Sequence, residues 1–262
     1  MTKTFSNKWT LILGGSSGLG LATAQKLSAE GMNLIIVHRD RKTDLENVEK
    51  IFSEIRNSGT KLISYNENGI DAESRKKIVA DIQTQLGSEK IYCLVHSIAK
   101  GNLKKLVSDS EAVADKTDFD ITIHAMATSW WEWTKDLLDN NLWEADARNI
   151  GFTSEGNQKY IPHYVAVSAA KASLEVLNRY MAVELAPKGI KTNVIQSGVV
   201  ETASMKMIPR SEKIIELTKK RNPFGRLTKS EDIANIVYLL CREESKWING
   251  TVVKADGGES LI

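Results

Sequence analysis

The sequence predicts an α/β fold, with a single doubly wound domain around a seven-stranded parallel sheet. Short apolar runs of strand length, such as residues 9–13 and 91–95, alternate along the chain with longer amphipathic runs. A glycine-rich turn joins the first apolar run to the first amphipathic run. No linker, internal repeat or low-complexity stretch divides the 262 residues. We therefore treat residues 1–262 as one domain.

The glycine-rich turn at residues 14–20 predicts a dinucleotide site. We expect Gly14 to take a positive φ, Gly18 to let the backbone approach a diphosphate, and Gly20 to let the helix lie close to the sheet. Free N–H groups and the positive end of the helix would then face the phosphates. The alternative is a loop of an α/β protein that binds no nucleotide. The predicted cofactor contacts in this turn are Gly14, Ser16, Ser17, Gly18, Leu19 and Gly20.

The later elements continue the βαβ alternation. Apolar runs and helical spacing predict strands at 33–37, 61–65, 91–95, 189–196 and 251–254, and helices at 44–57, 115–140 and 230–241, with a further capped helix that starts at Asp71. This order is typical of parallel strands joined by helical crossovers.

Three residues after strand 33–37 indicate which dinucleotide binds. The adenosine ribose is usually read at the end of the second strand, where an acid favours NAD. Here His38 stands in that place, and the guanidinium of Arg39 could pair with a 2′-phosphate. We therefore predict NADPH (NADP+), with His38 and Arg39 as cofactor contacts. Asp40, 20 residues beyond Gly20, keeps NAD as the alternative.

Tyr164 and Lys171 are the candidate catalytic pair. Reduction of a polarised double bond needs a donor for the developing oxyanion, and a cation that fixes the nicotinamide ribose and lowers the donor's pKa. We expect one helix, starting near Pro162, to carry both residues two turns apart with roughly 10 Å of rise between them. Val167 lies one helical turn before Lys171, but its side chain has no proton to donate. A second tyrosine, Tyr160, is assigned a structural role. The alternative is a packed aromatic and a surface lysine.

Three motifs resemble the short-chain dehydrogenase/reductase family. The turn Gly-x-x-x-Gly-x-Gly, with Leu13 in place of the usual Thr, resembles the family's nucleotide signature. Residues 96–99 are His-Ser-Ile-Ala where most members have Asn-Asn-Ala-Gly, and Tyr164-x6-Lys171 replaces the usual Tyr-x3-Lys. Both departures resemble the divergent branch of enoyl-[acyl-carrier-protein] reductases. The resemblance covers essentially the whole chain.

The resemblance implies a Rossmann-type fold and extends the cofactor site. It places Lys171 beneath the nicotinamide ribose, and His124 where ordinary members have an Asn in a proton relay. It also implies a mobile substrate lid at about residues 203–226 and a homotetramer, a dimer of dimers. The further cofactor contacts that it implies are Asn68, Ser97, Ile98, Ala99, Val200 and Thr202.

Ser154 is the third catalytic candidate. It lies seventeen residues before Lys171, where the family has its active-site Ser. Enoyl reductases with a second Tyr have it at this position, and a subgroup that uses NADPH has Ser. The residue is either a second hydroxyl for the substrate carbonyl or a turn residue, and both interpretations stay open.

We therefore expect NADPH-dependent reduction of the C2–C3 double bond of trans-2-enoyl thioesters, carried on acyl carrier protein, in fatty-acid or related acyl-chain synthesis. A ketone takes hydride on the same carbon whose oxygen is protonated. An enoyl thioester takes hydride on the β-carbon, and the negative charge develops on the carbonyl oxygen farther along the molecule. A Tyr displaced upstream fits the second reaction. One alternative is a carbonyl (3-oxoacyl or other ketone) or imine reductase of the same family. The other is a catalytically silent NADP-binding regulator.

Basic residues crowd the predicted lid and its borders. A solvated helix face is one explanation, and a docking patch for an acidic carrier protein is the other. The residues are Lys206, Arg210, Lys213, Lys219, Lys220, Arg221, Arg226 and Lys229.

Composition limits the other functions. A net charge of +2 gives no argument for nucleic acid, and four His and two Cys without ligand spacing predict no metal site. Cys93 and Cys241 lie in apolar runs and are expected in the core. Residues 1–8 lack the apolar core of a secretory signal, and no window is apolar enough for a membrane span, so we expect a cytoplasmic protein.

Overall fold

The computed structural model describes residues 4–209 and 211–262. It contains a seven-stranded sheet of order β3-β2-β1-β4-β5-β6-β7, and every pair of neighbouring strands is parallel. The strands are β1 (Trp9–Leu13), β2 (Asn33–His38), β3 (Leu62–Asn66), β4 (Ile91–His96), β5 (Trp143–Ser154), β6 (Ile190–Ser197) and β7 (Val252–Ala255). The strand order reverses between β1 and β4, so a crevice opens at their carboxyl ends. The predicted fold class, a single doubly wound domain, is confirmed.

Helices cover both faces of this sheet. They are α1 (Gly18–Ala29), α2 (Leu45–Asn57), α3 (Ala72–Leu86), α4 (Lys116–Ile123), α5 (Ser129–Asp139), α6 (Val165–Glu184), α7 (Ala203–Lys206), α8 (Ser211–Arg221) and α9 (Ser230–Cys241). Successive side chains of β1 alternate between the faces: Leu11 and Leu13 pack in the core with α3, α5 and α6, and Ile12 packs in the core with α1, α2 and α9. Cys93 and Cys241 are buried in the second core, as expected.

The segment predicted as one helix at 115–140 is interrupted. A π-helical turn, His124–Thr128, separates α4 from α5. The extra residue rotates the following side chains by about 100° around the axis. Trp130 and Trp133 consequently point into the core and are fully buried, so neither ring is available to a partner subunit. Apolar spacing alone gives no signal for such a turn.

The helix that carries Lys171 begins later than expected. It starts at Val165 rather than near Pro162, and Tyr164 occupies the N-cap position. His163 has a φ of 63°, a left-handed conformation that a helix cannot include. Tyr164 therefore ends the preceding turn, and only Lys171 lies within the helix.

Membrane-spanning helices and clusters of metal-ligating side chains are both absent from the described residues. No helix there is long and apolar enough to cross a membrane. Nor do three His, Cys, Asp or Glu side chains come together in that part of the chain as a metal-binding group.

Candidate active site

The glycine turn is closely packed at the carboxyl end of β1. Gly14 has a φ of 82°, as expected, and a Cβ there would lie 2.7 Å from the carbonyl oxygen of Ser97. A Cβ at Gly20 would lie 2.1 Å from the carbonyl oxygen of Gly14. Any side chain at either position would push the turn away from α1 or from the end of β4. These glycines therefore bring the start of α1 and the β4 loop together.

The residues around this turn fit a bound diphosphate. Ser17 is the N-cap of α1, yet its side chain makes no capping hydrogen bond, so the first N–H groups of the helix are left for another acceptor. Gly18 has a φ of 54°, and a Cβ there would lie 3.5 Å from Cγ2 of Thr202. Thr202 accepts from the Met205 N–H as the N-cap of α7, and its hydroxyl hydrogen stays free to donate. The predicted contacts at Gly18 and Thr202 thus face each other.

The ends of β2 and β3 form the adenosine side of the crevice. The His38 ring is buried and bonded to Asp40, whereas Arg39 is exposed. Asn68 is half-buried, and its carbonyl accepts from the Asp71 N–H at 2.9 Å. Arg39 and Asn68 thus lie at the ends of β2 and β3, whereas the His38 side chain is turned toward Asp40 and Phe52.

His96 at the end of β4 is neutral. Burial, helped by the charge of Lys171, lowers the pKa of His96 to about 3. Its Nε2 lies 2.9 Å from Oγ of Ser129. The ring therefore carries no charge near pH 7. The next residue, Ser97, donates its N–H to the carbonyl of Leu13 at 2.8 Å, and this bond holds the Ser97–Ile98–Ala99 segment beside the glycine turn.

Tyr164 lies against the strand end that carries Ser154. A Cβ at Gly156 would come within 2.7 Å of the Tyr164 ring, so this glycine makes room for the ring. Burial raises the pKa of Tyr164, and the neighbouring Ser154 hydroxyl opposes that rise. The Ser154 Oγ is itself buried, and no hydrogen bond of normal geometry to a described residue satisfies it. The site thus holds a protonated phenol beside an unsatisfied hydroxyl.

Lys171 reaches back from α6 to the same strand. Its Nζ donates to the carbonyl of Phe152 at 2.8 Å. Burial lowers the pKa of Lys171 to about 8, and the charge of Glu175 opposes this. Glu175 in turn accepts from Thr153 at 2.8 Å and from Asn157 at 2.6 Å. The lysine and the strand end that precedes Ser154 are therefore fixed together.

The expected effect of Lys171 on the tyrosine is not found. We expected the cation to lower the pKa of Tyr164, but that pKa is raised. The lysine lies two helical turns farther along the chain, and its charge acts on His96 and Glu175 instead. Burial of the phenol is left as the dominant influence.

Val167 occupies the position of the family's usual tyrosine. It is buried in a small apolar cluster with Met126 and Ala170, against which the ring of Tyr164 also packs. A polar group of substrate would meet no donor at this position. Tyr164 is therefore the aromatic hydroxyl closest in sequence to Lys171 and also the one beside the cavity described next.

A cavity of about 350 Å³ opens beside Tyr164. A loop that follows β4 forms one wall, and residues 159–168 form the other. Tyr160 is 88% exposed at its rim, so the predicted structural role for that ring is wrong. The walls are mainly apolar, with lysines at the edge: Lys104, Lys105, Leu106, Val107, Lys159, Tyr160, Ile161, His163, Tyr164, Val165 and Ser168.

His124 stays outside this group. Its side chain is 42% exposed, and its Nε2 lies 3.2 Å from a carboxylate oxygen of Glu132. Glu132 also accepts from Arg75 at 2.8 Å. His124 is thus engaged by Glu132, on the side of the molecule that Arg75 occupies.

The basic residues of the lid segment divide into two kinds. Arg210 lies outside the described residues. Lys206, Lys220 and Arg226 are exposed and form ion pairs with nearby acids. Arg221 differs, because its guanidinium contacts Glu155, directly after Ser154, and the fully buried Glu259. The part of the docking hypothesis that uses Arg221 is therefore wrong, since this residue holds α8 to the site.

Sequence reasoning missed Glu155 and Glu259. Both acids meet Arg221 from 66 and 38 residues away. Glu259 also accepts from the Val199 N–H at 3.2 Å, next to the predicted cofactor contact Val200. A local pattern carries no signal for contacts of this range.

Comparison with known proteins identifies the family of this chain. The chain matches the family described as Enoyl-(Acyl carrier protein) reductase over residues 14–260. It is 30% identical over 264 aligned positions to the enoyl-[acyl-carrier-protein] reductase [NADH] FabI of Aquifex aeolicus (strain VF5), with 97% of this chain and 92% of that protein covered. It is 28% identical over 265 positions to the 3-oxoacyl-[acyl-carrier-protein] reductase FabG of the same organism, with 96% of each covered.

Solved structures agree with the fold. The crystal structure of the enoyl-[acyl-carrier-protein] reductase (NADH) from Aquifex aeolicus VF5 matches with a TM-score of 0.85 and 25% identity, over 99% of this chain and 98% of that one. The reductase of Anaplasma phagocytophilum, solved with NAD, shares the fold with a TM-score of 0.83 at 20% identity, over 100% of this chain and 95% of that one. Because the family match runs over nearly the whole sequence, this chain belongs to the enoyl-[acyl-carrier-protein] reductase family, within the short-chain dehydrogenase/reductase oxidoreductases.

Proposed function

We propose that this chain reduces the C2–C3 double bond of trans-2-enoyl thioesters with NADPH. The proposal rests on the position of the phenol: Tyr164 has it, and Val167, at the usual tyrosine position, does not. Val167, at the usual tyrosine position, is buried and apolar, while Tyr164 lines the cavity next to Ser154. In an enoyl thioester the hydride adds to the β-carbon, and negative charge develops on the more distant carbonyl oxygen. A phenol that lies farther from Lys171 than the usual tyrosine suits that arrangement.

The residues at the carboxyl ends of the strands fit the cofactor. The glycine turn would hold the diphosphate, Asn68 the adenine side, and Val200 and Thr202 the nicotinamide half. Lys171 has three N–H donors, of which Phe152 takes one, so two are left for the ribose hydroxyls. When bound there, NADPH would supply the hydride.

Tyr164 would act as the acid for the thioester oxygen. Its raised pKa keeps the phenol protonated near neutral pH, so it can donate as enolate charge develops on the substrate. The unsatisfied Ser154 Oγ lies beside it and would donate to the same oxygen. This favours the helping hydroxyl over the turn residue for Ser154. Neutral His96 takes no part in proton transfer.

NADPH rather than NADH is proposed because the guanidinium of Arg39 is exposed where a 2′-phosphate would lie. The relative from Aquifex aeolicus is named for NADH, so this preference is specific to the residues of this chain. Measured dissociation constants for the two cofactors test it directly.

The acyl group is proposed to arrive on acyl carrier protein. Two relatives are named for carrier-protein substrates, and Lys213, Lys219 and Lys220 are exposed on α8. A homotetramer and a cytoplasmic location are proposed with it on the family resemblance. For the assembly there is also an apolar stripe on α6, where Val176, Tyr180 and Val183 are 42%, 64% and 74% exposed. Light scattering of the purified protein would measure its mass.

The first test is NADPH oxidation with trans-2-enoyl thioesters beside matching β-ketoacyl thioesters. We expect turnover on the enoyl series alone, and a loss of roughly 10²- to 10⁴-fold in kcat for Tyr164→Phe with unchanged cofactor binding. Turnover on the keto series would establish the carbonyl reductase alternative. The similarity to the 3-oxoacyl-[acyl-carrier-protein] reductase FabG is consistent with that alternative. Tight NADPH binding without turnover on enoyl, keto or imine substrates would establish the silent regulator.

A further inference from the structure

The turn after β2 holds a histidine and an acid together. His38 ends the strand with its side chain only 5% exposed, and its ring lies edge-on to Phe52 at 5.4 Å between ring centres. Its Nδ1 lies 2.7 Å from a carboxylate oxygen of Asp40. A carboxylate only accepts, so Nδ1 carries the proton in this contact. His38 therefore donates to Asp40 whether or not its other nitrogen is protonated.

The backbone of Asp40 is held from the neighbouring strand. Asn66 ends β3 opposite His38 in the strand register. Its side chain accepts from the Asp40 N–H at 2.8 Å and donates to the Asp40 carbonyl at 3.2 Å. These bonds fix the turn while His38 engages the side chain.

Arg39 lies between these two anchored residues and is exposed. Within the described residues, its guanidinium forms no ion pair or hydrogen bond. The turn therefore presents a free cation and a carboxylate that is already bonded. A free carboxylate at this place would accept the ribose hydroxyls of NADH and repel a 2′-phosphate.

We infer that His38 sets the cofactor preference indirectly, by keeping the Asp40 carboxylate engaged so that Arg39 alone meets the 2′-position of the ribose. His38 is thus a positioning residue that acts through Asp40. The inference rests on the proposed preference for NADPH. It accounts for an NADPH enzyme that keeps an acid two residues after β2.

The test measures dissociation constants of NADPH and NADH by fluorescence titration, with 2′-phospho-AMP and 5′-AMP as probes of the ribose site alone. In His38→Leu the donor is lost, and the ratio of NADH to NADPH dissociation constants should fall about tenfold. In His38→Asn the amide nitrogen replaces Nδ1, so the ratio should stay near that of the wild type. Adding Asp40→Asn to His38→Leu should restore the preference, because the released side chain no longer carries a charge.

Three results would overturn the role of His38. One is an unchanged ratio in a folded His38→Leu protein. Another is a lowered ratio that Asp40→Asn does not restore, since general damage to the turn would then explain it. If His38→Leu does not fold, His38→Phe keeps an aromatic ring beside Phe52 but has no donor, and an unchanged ratio in that variant is the third. A wild-type protein that binds NADH as tightly as NADPH would instead refute the proposed cofactor, before any variant is made.

Discussion

Charged groups are held in opposite ways in two segments, the proposed catalytic segment at 153–175 and the proposed lid segment at 203–226. In the first, buried and half-buried groups bond across long distances in the chain: Lys171 to Phe152, and Thr153 to Glu175. In the second, exposed groups pair with acids four to six residues away, as in Lys220–Glu216 and Arg226–Asp232. Buried long-range bonds position a site, whereas exposed local pairs contribute little to stability. Substitutions should therefore affect chemistry in the first segment and encounter in the second.

The largest effect is expected at Lys171. Lys171→Met removes the cation that would hold the ribose, and should lower kcat/KM at least about 100-fold while weakening NADPH binding. The pKa of about 8 adds a pH signature, because kcat/KM reports the free enzyme and should fall above that pH as the amine loses its proton. Lys171→Arg should keep its charge and abolish this fall. A fall near pH 8 that persists in Lys171→Arg would assign it to another group.

The same residue predicts a change in stability with pH. The folded-state pKa of about 8 lies below the ordinary 10.5, so between these values the unfolded chain binds more protons and the wild type gains stability as pH rises. Below pH 8 the Lys171 amine is charged in the folded protein, so its burial destabilises the fold most. Lys171→Met should consequently raise Tm at pH 7 relative to the wild type, and the difference should shrink toward pH 10.5. A constant difference would show that packing, not charge, is responsible.

A smaller effect on the chemistry is expected at Gly156. Its φ is not in the left-handed region, so Ala fits the backbone, but the new Cβ would lie 2.7 Å from the Tyr164 ring. The ring must shift, and Gly156→Ala should lower kcat by about 10- to 100-fold with unchanged NADPH affinity. The control is the double variant with Tyr164→Phe, where the same substitution should have no further effect on kcat. Additive losses would place the damage elsewhere.

Arg221 joins the two segments and should behave like the first. Arg221→Gln leaves Glu259 without its guanidinium, and should lower the free energy of unfolding by about 1–3 kcal/mol. Lys220→Gln, one residue away with an exposed partner, is the matched control and should leave it unchanged within error. Urea unfolding of both variants makes the comparison. Equal losses would remove the distinction between the segments.

The pH dependence of the Arg221 variant has a definite sign. Burial raises the pKa of Glu259 above its ordinary 4.5, and Arg221 opposes that rise. Without Arg221 the pKa of Glu259 is raised further, so the charged carboxylate destabilises the folded protein whereas the protonated acid does not. The loss in free energy of unfolding that Arg221→Gln causes should therefore be largest at neutral pH, and it should shrink as pH falls toward 4.5.

The fold was predictable because its signals are local. Buried parallel strands appear as apolar runs, and six of the seven begin within one residue of their predicted starts. The sequence analysis gave no bounds for β5. The π turn at His124–Thr128 was missed because backbone hydrogen bonding, not apolar spacing, distinguishes it. The start of α6 was missed because it depends on the left-handed φ of His163, which no residue type required.

The site was predictable only in part, for the same reason. Spacing along one segment brought out Tyr164, Lys171 and Ser154. The neutral state of His96 and the bond between His38 and Asp40 depend on burial, which sequence does not give. The shared partners of Arg221 depend on the approach of distant loops. Charge alone therefore suggested a docking role for a residue that holds the structure together.

The smallest effect is expected from the exposed lysines at the end of α8. Lys219→Glu with Lys220→Glu should raise KM for carrier-bound enoyl substrate a few-fold, leave KM for the coenzyme A thioester unchanged, and lose its effect as salt screens the patch. Lys50→Glu with Lys77→Glu, on α2 and α3, is the matched control with the same change in net charge. An equal rise for both thioesters, or for the control pair, would make these lysines a solvated face. A rise confined to the carrier-bound substrate would show that the lid segment serves encounter while the catalytic segment serves chemistry.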